Sequence, residues 1–248
     1  MKKIQLLSIL FFFLHNLLSA QNADTIQSPL SEPRYHYFLK TILFYNEYLD
    51  TEKGSFNTTQ VRFLLPIGNK AWNLRFDLPL VSTNTTSTNK TAIGDVGGGI
   101  SFIPYLRNNN GIAVRTRVYS NTAEDPNFGT GKWVVMPAMV YGRYFNQKKF
   151  LLLTTIEYQQ SFAGNSDRSD ISTALLENLL MHFFGKNWIS GDVALRYNTV
   201  IEGFQNNAFI EFGRKITPSN LVYIHPSAGF GPNRTYNWGM EVGVLILF

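Results

Sequence analysis

From Tyr35 to the end of this chain, apolar residues return at every second position in one segment after another, and no stretch after residue 20 is apolar enough to cross a membrane as a helix. Period-two alternation gives a strand one apolar face and one polar face. In 71–82, Trp72, Leu74, Phe76, Leu78 and Leu80 take one face, with Asn73, Arg75 and Asp77 on the other. In 188–200, Ile189, Val193, Leu195 and Tyr197 oppose Asp192, Arg196 and Asn198; in 207–216, Ala208, Ile210, Phe212 and Ile216 oppose Asn207, Glu211 and Lys215. Arg214 alone falls on the apolar side of that last segment, next to a turn where it can snorkel to lipid headgroups. Aromatic residues make up 15% of the chain and charged ones only 16%, a balance expected when every second strand residue faces lipid and the rest face a polar lumen.

Two kinds of punctuation separate the segments. Short turns fall at Gly68 to Lys70, Arg107 to Asn110, Phe145 to Lys149, Gly185 to Asn187 and Thr217 to Asn220. Longer polar loops fall near Asp50 to Phe56, Thr83 to Lys90, Ala123 to Gly131, Ala163 to Asp170, Ile201 to Asn206 and Gly231 to Thr235. The strict alternation of the two predicts about twelve antiparallel strands, at 35–49, 57–67, 71–82, 92–106, 111–122, 132–144, 150–162, 171–184, 188–200, 207–216, 221–230 and 237–248. An even count leaves both chain ends on one side, as in a transmembrane β-barrel with short periplasmic turns and longer outer loops. Segments 35–49, 132–144 and 171–184 alternate poorly. Pro137 and Pro226 sit inside strands, where a missing N–H removes a ladder bond.

The N-terminus has the layout of an export signal: Lys2 and Lys3, an apolar run from Ile4 to Leu18, and the small residues Ser19 and Ala20. The expected organisation is a signal peptide over 1–20, a short N-terminal segment over 21–34 and an all-β transmembrane barrel over 35–248, in the outer membrane of a Gram-negative bacterium with its lipid as partner. The chain has no cysteine, so disulfides contribute nothing. Losing Lys2 and Lys3 takes Lys+Arg from 22 to 20 against 17 acidic residues, a net charge of +3 that is too mild to point to nucleic acid.

At the C-terminus, Met240, Val242, Val244, Ile246 and Phe248 share a face, with Glu241 and Gly243 opposite. This resembles the terminal strand of outer-membrane proteins, which the barrel assembly machinery reads as a signal. A soluble sandwich also buries one face per strand, but it predicts neither the export signal nor the terminal Phe.

Parity in the clean strands puts six cations on the inner face: Arg62, Arg75, Arg115, Arg117, Arg196 and Lys215. Six acids share that face: Asp77, Asp95, Glu157, Asp192, Glu211 and Glu241. Equal numbers predict cross-strand ion pairs that narrow the lumen rather than a field across an open channel. A purely structural filling of the barrel is the plainer reading of the same pairs. His225-Pro226-Ser227 places His and Ser on one strand face, as in outer-membrane lipid hydrolases, with Glu241 on the next strand as a third group. Those enzymes follow the Ser with Asn where this chain has Ala228, and they turn the pair to lipid where parity here turns it inward. No metal motif occurs, His36 and His182 stand apart, and no cofactor is expected.

Arg75 to Leu80, Ile93-Gly94-Asp95-Val96-Gly97-Gly98-Gly99, and Tyr223 to Gly231 together resemble the family of outer-membrane barrels labelled transporters of the meta-cleavage pathway of phenol degradation. The chain departs from that pattern at Ala92 and Ser227, where glycine is usual in the family. The resemblance implies a barrel and suggests uptake of small solutes, aromatic or apolar ones among them; the expected barrel is not an enzyme.

Overall fold

In a computed structural model, the structure describes residues 29–30, 39–68, 71–86, 88–125 and 127–248. The signal peptide expected over 1–20 and most of the segment 21–34 lie outside the described residues.

Every regular element among the described residues is a strand: β1 (Thr41–Thr51), β2 (Gly54–Ile67), β3 (Trp72–Thr83), β4 (Lys90–Ile93), β5 (Gly97–Arg107), β6 (Asn110–Tyr119), β7 (Lys132–Phe145), β8 (Phe150–Gly164), β9 (Ser172–Phe184), β10 (Asn187–Asn198), β11 (Gly203–Phe204), β12 (Asn206–Lys215), β13 (Asn220–Phe230) and β14 (Trp238–Leu247). Apart from β4 and β11, each pairs antiparallel with its sequence neighbours. The ring of twelve closes where β14 pairs with β1, from Thr41 opposite Leu247 to Asp50 opposite Trp238. Closure leaves no sheet edge, which a bilayer requires because it offers backbone groups no water. The two short strands extend the wall at the loop end, β4 on β3 and β11 on β10.

Alternation decides which way each side chain points. The outer face carries large exposed apolar residues all round the ring, among them Phe44, Phe76, Ile156, Ile210 and Val242, each roughly half exposed. Water would not tolerate such a continuous apolar surface, and lipid requires it. Aromatic pairs rim the belt at both ends. Trp72 stacks on Phe102 at 4.4 Å and Phe145 on Phe150 at 5.4 Å at the turn end; Tyr48 meets Trp238 at 5.2 Å and Tyr197 meets Phe204 at 5.1 Å at the loop end. The C-terminal stripe runs down this lipid face, with Val242 and Val244 exposed, while Leu245 and Leu247 point inward.

Two features differ from the sequence expectation, and a third, the effect of the strand prolines, matches it. The connection expected as a loop from Asp50 to Phe56 is a turn of two residues, Glu52 and Lys53, because β1 and β2 stay paired out to Thr51 and Gly54. Gly54 takes a positive φ of 137° there, which glycine adopts without strain. The strand expected over 92–106 is bent at Gly94 to Val96, so that β4 and β5 pair with successive stretches of β3. At Pro137 and Pro226 the strands continue, but the ladder lapses on one side. Pairing jumps from Val135–Gln160 to Ala138–Glu157, and from Phe209–Ser227 to Phe212–Ile224.

The interior is not uniformly polar. Toward the turn end it is filled by an apolar cluster that includes Leu43, Tyr144, Leu151, Leu179, Met181 and Trp188. The three segments that alternate poorly are explained by this floor. Leu179 and Leu180 send one side chain into the cluster and the next into lipid, so both faces are apolar. Leu30 is fully buried in the same cluster. It sits in a notch made by the register partners Gly111 and Gly142: a Cβ at Gly111 would lie 3.1 Å from Leu30, and one at Gly142 2.9 Å from Pro29.

Inside the wall, three aromatic rings fold over the glycine directly across the ladder: Tyr119 over Gly97, Trp188 over Gly213, and Tyr223 over Gly243. A side chain at any of these glycines would meet the ring. Each pair lets a large aromatic lie flat along the wall instead of filling the lumen.

Candidate functional site: the lumen cavity

Above the apolar floor lies a cavity of about 530 Å³, within the range of small-molecule pockets. Its wall runs from Asp95 and Thr130 near the loops down to Leu43, Trp188 and Leu245. Of the charged residues that sequence parity turns inward, Arg62, Arg75, Asp95, Arg115 and Arg117 line it on one side, and Glu157, Arg196, Glu211 and Glu241 complete the ring. Asp77 and Asp192 are buried at 2% exposure each. Lys215 is the correction: it has the inward parity but is exposed at the turn end of β12, past the floor and outside the cavity lining.

The charges form two arcs. On β2, β3 and β6, four guanidiniums gather around two carboxylates. Arg62 Nε and Arg75 Nε each donate to Asp77 at 2.6 Å, and Gln60 and the Tyr119 hydroxyl also donate to it, at 2.7 and 3.0 Å. The Arg62–Asp77 contact follows directly from register, since the two residues face each other across the β2–β3 ladder. Arg115 Nη2 donates to Glu157 at 3.2 Å and Arg117 donates to the same oxygen. Both reach across β7, where Ala138 is the register partner of both Arg115 and Glu157 and is too small to stand in the way. The strands from β9 round to β14 carry Glu177, Asp192, Glu211 and Glu241 with Arg196 and His225. Glu211 accepts from Trp188 Nε1 at 2.7 Å, and Glu241 accepts from the Tyr223 hydroxyl. In the ring of twelve, Asp192 and Arg196 on β10 stand six strands from Arg75 on β3, whereas Glu241 on β14 stands two strands from Arg62 on β2, so the two groups adjoin at β1.

Cross-strand pairs are present, but they do not cross the lumen from wall to wall. Pairing is lateral, along the wall, and the turn-end half is filled by apolar side chains instead. Parity along a strand tells which face a charge occupies, but not its neighbours around the ring.

Asp95 belongs to the loops rather than to the arginines. Its carboxylate accepts from Ala123 N at 3.1 Å and from Thr130 N and Oγ1 at 2.6 and 3.0 Å, tying the bend before β5 to the loop between β6 and β7. Arg168, from the next loop, donates to the carbonyls of Thr130 and Gly129 at 3.2 and 3.1 Å. Lys132 Nζ donates to Asp170 at 2.8 Å, and that hydrogen bond holds the Asp170 carboxyl below its ordinary range. An Asp95→Ala variant removes the acceptor of two part-buried backbone N–H groups and of the Thr130 hydroxyl, at about 0.5–1.5 kcal/mol for each bond lost. The expected result is faster cleavage of 120–131 by an external protease on intact cells. Cleavage at the wild-type rate would show that the loop is held by other contacts.

His225 and Ser227 both point inward, and each has its own partners. The His225 ring stacks on Phe209 at 4.2 Å, and its Nδ1 lies 3.8 Å from both Glu211 and Glu241. The Ser227 hydroxyl bonds to Tyr236. His182 lies in the outer aromatic rim, stacked on Phe150 at 4.4 Å.

No family model and no curated protein matches this chain. Solved structures do. An outer-membrane channel from Pseudomonas putida F1 superposes with a TM-score of 0.69 at 12% identity, over 85% of this chain and 96% of its own. The NanC porin gives 0.61 at 11% identity, over 83% and 98%. The KdgM porin gives 0.59 at 11%, over 84% and 99%. The chain thus has the closed antiparallel β-barrel fold found in outer-membrane channels and porins.

Proposed function

We propose that this outer-membrane barrel is not an enzyme but a solute-specific channel, which takes a small solute into the lumen cavity and passes it through a floor that is closed at rest. The observation that supports this is the cavity itself, walled by charged and hydrogen-bonding side chains and floored by a buried apolar cluster. A wide, water-filled porin lumen has no such floor. The apolar floor suits a solute with an aromatic or apolar body, in keeping with the sequence resemblance to the phenol-pathway barrels. A hydrolase reading is less favoured, because His225 faces two carboxylates while the Ser227 hydroxyl bonds to Tyr236. The lipid-facing stripe Met240, Val242, Val244, Ile246 and Phe248 is proposed as the signal read by the assembly machinery.

The test is single-channel recording on purified, refolded protein in planar bilayers. We expect low ion conductance without solute, and a concentration-dependent change in current on adding small aromatic solutes. A steady, wide, ohmic pore indifferent to solute would overturn the proposal.

A further inference from the structure

Independently of what the lumen passes, we propose that the lipid-facing wall at the turn end of β9, β10, β12 and β13 holds an anionic phospholipid, with its phosphate on Arg214 and an acyl chain in an apolar groove. The two ends of the barrel differ in charge. At the loop end acids and bases mix and pair: Lys90 with Asp125 at 3.7 Å, Lys132 with Asp170 at 2.8 Å and Arg234 with Glu52 at 3.7 Å. At the turn end, over 104–113, 142–152, 181–189 and 213–222, no residue is Asp or Glu. Arg107, Arg143 and Lys149 stand exposed there between β5 and β8, and Lys186, Arg214 and Lys215 further round, between β9 and β12. Asp192 and Glu211, the acids of β10 and β12, are buried on the inner face of the wall. With the short turns toward the periplasm, this basic rim lies at the headgroups of the leaflet built of phospholipids.

Arg214 is where the rim meets a groove. The groove has a volume of about 560 Å³ and is lined on the outer face by Phe184, Asn187, Phe212, Arg214, Val222 and Ile224, with Trp188, Gly213 and Tyr223 in the wall behind. Phe184, Phe212 and Ile224 are all exposed. Arg214 is the one charged residue of that lining, and its register partners on either side, Asn187 and Val222, carry no charge. Lys215 N donates to the Lys186 carbonyl at 2.8 Å, which sets these two lysines at neighbouring positions, one residue along from Arg214.

The two parts of the site select different parts of a lipid. A guanidinium can place two parallel N–H donors on a phosphate while its stem lies along apolar surface. The groove takes a hydrocarbon chain by packing alone, so it accepts the chain of any lipid. Headgroup charge then decides between lipids. Three cations with no acid side chain beside them among the described residues favour a headgroup of net negative charge, and they repel the ammonium of a zwitterionic one.

Two lipids with identical dioleoyl chains, phosphatidylglycerol and phosphatidylcholine, can be titrated into the refolded barrel in detergent and counted by native mass spectrometry. One phosphatidylglycerol is expected to be retained at a concentration about tenfold lower than phosphatidylcholine, with no displacement by excess inorganic phosphate. In Lys186→Gln/Arg214→Gln/Lys215→Gln the preference should disappear, whereas Arg107→Gln/Arg143→Gln/Lys149→Gln, which removes equal charge from the rim between β5 and β8, should keep it. Val222→Trp, which fills the groove, should weaken both lipids. Equal retention of the two lipids by the wild-type barrel would overturn the site, as would displacement by inorganic phosphate, which marks a free-anion site. An equal effect of the two triple variants would mean a diffuse field and no site at Arg214, and undiminished binding in Val222→Trp would overturn seating in the groove. The wild-type comparison needs no variant to fold. For the variants, heat-modifiable migration on gels reports whether the barrel has formed.

Discussion

Replacing Leu151, Leu179 and Met181 together with alanine is expected to convert a nearly closed barrel into a conducting one. The three side chains come from neighbouring strands, Leu151 directly opposite Met181 across the β8–β9 ladder, and each is at most 1% exposed in the apolar floor. An apolar constriction blocks ions by excluding water, so shortening it and widening it act together, and a rise in conductance of at least about tenfold is expected. Each truncation costs about 2–5 kcal/mol in a packed core. The closed ladder of twelve strands should still hold the barrel together, which gel migration can verify before recording. The informative contrast is Arg75→Ala/Arg115→Ala/Arg196→Ala. Because Arg75 and Arg115 pair along the wall and not across the path, removing the three cations should shift selectivity toward cations with little change in conductance. If the arginine variant opens the pore and the floor variant does not, the closure lies at the charged arcs and not at the apolar cluster.

A Gly213→Val substitution is expected to be among the most destabilising changes available in the wall. The Trp188 ring lies directly over Gly213, so any Cβ there drives the indole away. Trp188 is 1% exposed, and its Nε1 donates to the Glu211 carboxylate at 2.7 Å. Overpacking costs about 1–3 kcal/mol, and loss of a hydrogen bond to a buried charged group about 1.5–3 kcal/mol more. Gly191 on β10 is the control. It is exposed on the lipid face, and a Cβ added there would meet nothing within 4 Å, so Gly191→Val should change stability by no more than about 0.5 kcal/mol. Urea unfolding in lipid vesicles, followed by tryptophan fluorescence, measures both. Equal midpoints for the two variants would mean that the indole over Gly213 contributes nothing to stability.

Alternation is a property of a single strand, and for that reason the amino-acid order by itself determined a great deal here. The steric period of two places Trp72, Phe76 and Leu80 against lipid and Arg75 and Asp77 inside, whatever the rest of the chain does. Turn residues between such segments set the strand count and the antiparallel order, and thus the closed ring. Other features depend on which strand stands beside or opposite which, and at what register. Only the assembled ring places Arg117 within reach of Glu157 over Ala138, gathers four arginines on one arc and, by pairing β14 with β1, brings Glu241 to within two strands of Arg62. The floor was half legible: adjacent leucines in β8 and β9 blur the alternation because both of their faces meet apolar surroundings. That the inner set converges into one cluster with Leu30, and so shuts the turn end of the lumen, is a consequence of ring closure, which brings distant strands to within a side chain's length.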